Sequence, residues 1–327
     1  MDSLHPSSIS RLSTLDSRLR IWPGLASIRE PFPNVSVAIG VFDGIHLGHQ
    51  ALIKAAVADA RAHNRESLVF TFDRHPAEVT EPTRVPGYIT TPEQRLAIFN
   101  ELEIDHLVIA HFDEQFRELS PESFLHFVMS GVLGARAVFV GQDFRFGRFH
   151  SGNVEYLREA ATRYGYTLNV LDPVMVDGVK ASSSHVRELI RAGQVKDATD
   201  ALGRPFTLVG TVVEGKKLGR TLGFPTANLQ PIIRQVLPAD GIYATCVMVD
   251  GVWHLGALSV GLRPTVNGKH RTVEVYILDF DADIYGHALD VEFISRLREE
   301  RKFESLDLLV EQMHLDVAEV RARFNEG

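Results

Sequence analysis

What most limits the fold of this chain is a change of rhythm just past its midpoint. Before Leu202-Gly203-Arg204-Pro205, short apolar runs alternate with amphipathic stretches; after it, the runs continue and the amphipathic stretches stop. Val35–Val41, Ser67–Phe72, His106–Ala110, Ala137–Val140 and Thr167–Leu171 read as strands, rich in Val, Ile, Leu or Phe. Such continuous runs suit a sheet buried on both faces. Between them, Thr91, Pro92 and Gln94 supply a helix cap, a first-turn proline and a capping-box partner ahead of Leu96, Ile98, Phe99 and Leu102. Ser120-Pro121 opens another helix in the same way, and Ala51–Ala60 is strongly helix-forming. Strict alternation predicts a doubly wound parallel sheet, with ligands at the carboxyl ends of its strands.

A helical stretch over Ser182–Leu202 closes this half. Beyond it Phe206–Val213, Gly241–Val249, Val252–Val260, Thr272–Leu278 and Leu289–Phe293 follow one another, punctuated by Asp250-Gly251, Asn267-Gly268 and Tyr285-Gly286. Strands with hairpin signals and no crossover helices predict an antiparallel β-barrel, with a final amphipathic helix at about Ser305–Phe324 packed on it. The fold class is therefore α/β in two domains, residues 19–204 and 205–327, preceded by a mobile extension over residues 1–18. A length of 327 residues suits two domains.

Composition narrows the functions. A net charge of −8 gives no whole-protein reason to bind nucleic acid or an acidic membrane. Cys246 is the sole cysteine, which excludes an intramolecular disulfide and a cysteine-cluster metal site and suits a cytoplasmic setting. Residues 1–20 lack the charged and apolar regions of a secretory signal, and no apolar run approaches the ~18 residues of a membrane span. Small-molecule partners and a monomer or weak homo-oligomer are expected.

Two strings carry chemistry. Gly40-Val41-Phe42-Asp43-Gly44-Ile45-His46-Leu47-Gly48-His49 lies where the first strand gives way to a helix. A helix start offers free N–H groups and partial positive charge, so phosphate is the expected ligand, and Gly44 and Gly48 clear side chains from its approach. His46 and His49, three apart, share one face of the first turn and can offset charge on an α-phosphate and a departing pyrophosphate. Taken singly, either histidine is equally a surface residue at a helix start. Phe72–Pro76, Gly141–Gly147 with Asp143, and Ser182–Arg187 follow later strands and are expected at the same edge. In the last, Ser183 and Ser184 are candidate caps and phosphate ligands, and Arg187 adds charge.

The second string, Gly219-Arg220-Thr221-Leu222-Gly223-Phe224-Pro225-Thr226-Ala227-Asn228, follows a basic loop, Gly215-Lys216-Lys217-Leu218. No P-loop pattern is present, so a different phosphate cradle is required. Thr226 and Asn228 are neutral oxygen donors two residues apart, which suits Mg²⁺ that keeps water and phosphate oxygens in its shell. Glu274 shares a strand face with Thr272 and Tyr276, opposite Val273, Val275 and Ile277. It is either a base that takes a hydroxyl proton as that oxygen attacks a γ-phosphate, or a solvated outer-face carboxylate.

The first string resembles the nucleotidyltransferase superfamily that shares the HIGH-type motif. With Thr71–Pro76 and Gly141–Gly147, it is similar to the FAD synthetase module of prokaryotic bifunctional riboflavin kinase/FAD synthetases, a likeness running from about Leu19 almost to the C-terminus. Gly219–Asn228, Gly261–Thr265, Glu274–Phe280, Tyr285-Gly286 and Arg298–Phe303 follow the order of riboflavin kinase domains. His185, Ser259 and Leu262 stand where that family more often has Arg, Asn and Thr. The resemblance implies that riboflavin is phosphorylated by Mg-ATP to FMN in the barrel, and that AMP from a second ATP is joined to FMN in the α/β domain, giving FAD. It further implies catalytic roles for His46, His49 and Glu274, and nucleotide or phosphate binding by Gly40, Phe42, Gly44, Gly48, Asp143, Ser183, Ser184, Arg187, Gly215, Gly219, Thr226 and Asn228. Thr226 and Asn228 are the implied metal ligands, and Arg298 the implied flavin ligand. Two alternatives stay open: a nucleotidyltransferase for another phosphate ester, and a flavin-binding regulatory protein with a decayed site.

Overall fold

The computed structural model describes residues 19–215, 218–265 and 268–325. The expected extension (residues 1–18), Lys216, Lys217 and Asn267 lie outside them. The chain divides into two compact units, one of Met1–Pro86 with Pro92–Ala181, the other of Gly87–Thr91 with Ser182–Gly327.

In the first unit the apolar runs form a six-stranded, wholly parallel sheet. Its strands are β1 (Arg20–Pro23), β2 (Val35–Ile39), β3 (Glu66–Phe72), β4 (His106–Ala110), β5 (Ala135–Gly141) and β6 (Thr167–Leu171), in the order β1-β4-β3-β2-β5-β6. Helix α1 (Leu47–Ala62) follows β2, α2 (Pro92–Glu101) precedes β4, and α3 (Val154–Tyr164) precedes β6. Alternation along the strands sorts the core onto two faces. Ala38, Val69, Leu107 and Phe139 meet Leu52, Ile53, Leu96 and Phe99 of α1 and α2. Val37, Phe70, Val108 and Val138 meet Phe124, Leu125 and Val128 on the other side. The edge strand β1 was not expected. Four residues with a terminal proline give no periodic signal, and only pairing with β4 makes them a strand.

The second unit begins with α4 (Ser183–Ala192) and α5 (Val195–Leu202). The single stretch expected here is broken at Gly193, whose φ of 77° ends α4 and whose missing Cβ would lie 2.8 Å from the Tyr243 hydroxyl. The barrel comprises β7 (Phe206–Val213), β8 (Thr226–Pro231), β9 (Gly241–Val249), β10 (Val252–Thr265), β11 (Gly268–Ile277) and β12 (Ala288–Arg298), and α6 (Leu306–Asn325) ends the chain. The strands pair antiparallel in the order β7-β8-β11-β10-β9-β12 and close through β12 onto β7. Leu208, Leu229, Val247, Leu258, Val275 and Phe293 fill its interior together with Val186, Ile190 and Val195 of α4 and α5. Val320, Val317 and Phe324 of α6 pack with Ala244, Leu255 and Ala257 outside it.

Residues 87–91 belong to this second unit although both flanks belong to the first. Tyr88 donates to the Arg234 carbonyl and accepts from Val236 N–H, each at 2.8 Å. Gln235, 6% exposed, donates to the Ile89 carbonyl and accepts from Val209 N–H, so the short segment completes the hydrogen bonding beside β7.

Candidate active sites

β2 ends at Ile39, and the chain reaches α1 through a turn that few sequences tolerate. Phe42 (φ 52°), Gly44 (φ 79°) and Ile45 (φ 38°) all adopt left-handed backbone. For the two non-glycines this costs on the order of 1–3 kcal/mol each, and their complete burial offsets it. The Phe42 ring covers Gly40, where a Cβ would lie 3.0 Å from it, and meets the His49 ring edge-on at 5.0 Å. Phe42 therefore serves the site as a buried support for His49, and only its backbone is available to a ligand. Thr71 of β3 donates its hydroxyl to the Val41 carbonyl at 3.1 Å and ties the turn to the sheet.

His46 caps α1. Its Nδ1 accepts a long 3.4 Å hydrogen bond from His49 N–H, which leaves the proton on Nε2 as the ring's donor. The two imidazoles stack at 3.8 Å, side by side as their spacing predicted. Gly48 makes this possible, since a Cβ there would lie 3.1 Å from the His46 ring. The pair thus stands at the N-terminus of a 16-residue helix, where N–H groups and the helix dipole favour an anion.

Of the later segments, two follow strands of this sheet. Asp73 accepts from Phe112 N–H at 3.1 Å and bonds His111, fastening the loop after β3 to the loop after β4. Asp143, beyond β5, is exposed and paired with Lys180, whose hydrogen bond and charge hold its carboxyl below the usual carboxylate range. Ser182, Ser183, Ser184 and Arg187 fall in the second unit. The cap of α4 is Ser182, which accepts from His185 N–H at 3.2 Å, and Ser183 and Ser184 occupy the first helical positions instead. The expected caps are thereby corrected: Ser182 alone has the extended backbone a cap requires. Arg187 is 5% exposed and donates from Nε to the Gly87 carbonyl at 2.8 Å.

The barrel builds its site from register. Asn228 pairs across β8 and β11 with Glu274, and Glu274 pairs across β10 with Ser259. Val273, Val275 and Ile277 point into the core, so Thr272, Glu274 and Tyr276 face outward, as the alternation predicted. Glu274 is half-buried there. Leu222, Phe224, Leu309, Met313 and Val317 line with it a cavity of about 290 Å³. Thr226 donates to Glu274 Oε2 at 3.4 Å and also lines a second cavity of about 460 Å³, bounded by Arg220, Phe280, Asp283 and Tyr285.

Two glycines bring backbone against these side chains. A Cβ on Gly215 would overlap the Asn228 carboxamide at 2.1 Å, and one on Gly219 would lie 2.3 Å from the Phe224 carbonyl and 3.2 Å from Thr226 Oγ1. Arg298 lines the smaller cavity, but its hydrogen bonds go to protein. Nε and Nη2 bind the Asp316 carboxylate at 2.8 and 2.7 Å, and Nη1 binds the Glu299 carbonyl. A bidentate pair of this kind holds α6 as the cavity's wall. The wall was missed because Leu309, Met313 and Val317 form an ordinary i, i+4, i+8 stripe, which signals packing without naming what it packs around. Among the described residues no group of three His, Cys, Asp or Glu could hold a metal.

A family model for FAD synthetase matches residues 29–185, and one for riboflavin kinase matches residues 202–324. The bifunctional riboflavin kinase/FMN adenylyltransferase of Haemophilus influenzae is 33% identical over 94% of this chain and 100% of its own length. Its Escherichia coli counterpart is 35% identical over 88% and 92%. A crystal structure described as a macrolide-efflux protein from Streptococcus pneumoniae has a TM-score of 0.84 at 32% identity, covering 93% of this chain and 98% of that one. Among the described residues no helix is long and apolar enough to cross a membrane.

Proposed function

The chain belongs to the bifunctional riboflavin kinase/FMN adenylyltransferase family, and from that premise we propose which of its groups carry each reaction. The enzyme phosphorylates riboflavin with ATP in its C-terminal domain and transfers AMP from ATP to the resulting FMN in its N-terminal domain, giving FAD and pyrophosphate. A boundary between the two catalytic domains near Pro205 is proposed on the change of sequence pattern there.

For the kinase, riboflavin fills the smaller, largely apolar cavity and ATP the larger one. Thr226, shared by both, stands where the γ-phosphate meets the acceptor. Glu274 takes the proton of the 5′-hydroxyl as its oxygen attacks the γ-phosphorus, and ADP leaves. The observation that carries this reading is the half-buried Glu274 carboxylate, bonded by Thr226 and lining the more apolar of the two cavities that Thr226 shares. Thr226 and Asn228, neutral oxygen donors on one strand face against Gly215, are proposed to hold Mg²⁺, which when bound offsets phosphate charge. Gly215 and Gly219 admit the phosphates, and Arg298 keeps α6 closed over the flavin.

For adenylyl transfer, the backbone of Gly40–Gly48 and the His46 and His49 rings stabilise negative charge on the α-phosphate as the FMN phosphate oxygen displaces pyrophosphate. Asp143 is proposed to orient the nucleotide. Ser183, Ser184 and Arg187 are proposed as further phosphate ligands on their motif alone. The single cysteine supports a cytoplasmic setting. Incubating the purified chain with riboflavin, ATP and Mg²⁺ and separating the flavins tests the whole: FMN should appear first and FAD after it, and the appearance of neither would refute the proposal.

A further inference from the structure

The apolar face of α2 carries one guanidinium. Leu96 and Phe99 are 2% and 1% exposed, and Arg95 beside them is 8% exposed. Its Nε is enclosed without a hydrogen-bond partner, and among the described residues no ion pair engages its side chain. Leaving that one enclosed donor without an acceptor costs on the order of 1–3 kcal/mol. A group so placed calls for an acceptor from outside the chain.

Its position says which acceptor. Arg95 lines a small cavity with Thr71 and Phe72, the last residues of β3, and with Leu107 and Ile109 of β4. Thr71 and Phe72 close the carboxyl end of β3, the end at which ligands of such sheets bind, while Leu107 and Ile109 lie within β4 beside it. Two chains of contact lead from it to the glycine turn. The Thr71 hydroxyl bonds Val41, and Phe99, one helical turn from Arg95, meets Phe42, which supports His49. Arg74, two residues past the end of β3, carries its own counter-charge, 3.7 Å from Asp73. The enclosed volume beside Arg95, about 10 Å³, admits one oxygen-sized group and no more.

We propose that Arg95 binds a phosphate oxygen of a substrate of adenylyl transfer, either the FMN phosphate or the ATP triphosphate, with the rest of that phosphate lying outside at the strand ends. The proposal rests on the adenylyltransferase reading of this unit.

The test uses the full chain with Arg95→Met, which keeps the packed stem and removes the charge, and Arg95→Lys, which restores a charge without the fork. FAD formation is followed with FMN and ATP varied separately, and a thermal unfolding profile matching that of the wild type reports that the α/β unit is folded. In the Met variant KM for one substrate should rise roughly 10- to 100-fold, with kcat less affected and partial recovery in the Lys variant. A rise for FMN assigns the FMN phosphate, and a rise for ATP assigns the triphosphate. Both KM values within about threefold of wild type would overturn the proposal and leave a trapped water as the occupant. Should the Met variant fail to fold, Arg95→Gln, which also removes the charge and keeps part of the stem, decides by the same split, unchanged KM values again overturning the proposal. A wild-type protein that made no FAD would refute the underlying reading, and this proposal with it.

Discussion

In the α/β unit the reactive groups sit on a turn held in left-handed backbone at Phe42, Gly44 and Ile45, whereas in the barrel they sit on extended strands whose register sets Glu274 between Asn228 and Ser259. The first site is shaped by what packs beneath it: Phe42 under His49, Gly48 under His46, Thr71 on Val41. The second is shaped by which strand residues lie opposite one another, and its enclosure comes later in the chain, from α6. Each site depends on a glycine that lets backbone lie against a side chain, Gly48 at His46 in the first and Gly215 at Asn228 in the second, so each should weaken when a single carbon is added. The site made of register should in addition fail at its one carboxylate.

The sharpest way to break this contrast is to disable each site singly. Glu274→Gln should lower FMN formation by ~10²–10⁴-fold while leaving FAD formation from supplied FMN intact. His49→Ala should lower FAD formation by ~10²–10³-fold and spare FMN formation. If either folded variant lost both activities, assigning one reaction to each unit would be wrong. Next in size, Gly215→Ala drives a Cβ into the Asn228 carboxamide, and KM for ATP in the kinase assay should rise, by up to ~100-fold. An unchanged KM would remove Asn228 from the phosphate end of the site. Gly48→Ala meets the His46 ring at 3.1 Å, a milder crowding, and should cost adenylyl transfer roughly tenfold with the kinase untouched.

The smallest effect lies at the opposite edge of the α/β sheet. His106 begins β4, is 1% exposed and accepts at Nδ1 from Trp22 Nε1 at 3.1 Å. Burial holds it below the ordinary imidazole range, outweighing the Glu66 carboxylate that pulls the other way. The folded pKa is thus the lower one. The stability it gives is present above the unfolded value of about 6.5 and is lost as pH falls below it. His106→Gln should flatten the fall in Tm between pH 7 and 5, by less than about 4 °C, without altering adenylyl transfer at pH 7. An identical fall in the variant would show that other groups set the acid limit.

The sequence was most legible where periodicity and burial coincide. β2 to β6, both faces of β11 and the paired histidines follow from apolar runs, strict alternation and a three-residue spacing. Local pattern failed where a partner decides. No strand was expected over Thr226–Pro231, which holds Asn and ends in Pro, residues poor in strands, yet pairing with β7 and β11 makes it the strand that completes the barrel. β1 owes its existence to β4 in the same way. In the sites, Arg298, the flavin ligand that the resemblance implies, lines the smaller cavity, and spacing does not reveal that Asp316, eighteen residues on, pairs with it there. Phe42 reads as part of a phosphate loop, and its ring lies in the core. Arg95 gave no signal at all, since one charged residue on a helix face is expected to reach solvent, and only its burial marks it out.

The segment Gly87–Thr91 bears on how this chain can be taken apart. Because those five residues are bonded beside β7 and flanked on both sides by the α/β unit, the polypeptide crosses between its units three times, at 86/87, 91/92 and 181/182. No single cut separates them. A barrel expressed from Ser182 onward would leave Arg234 and Val236 without their backbone partner at Tyr88, and the other fragment would carry an orphaned loop. Cassette swapping between relatives, and inheritance of either half alone, therefore require that the five-residue loan be returned or replaced.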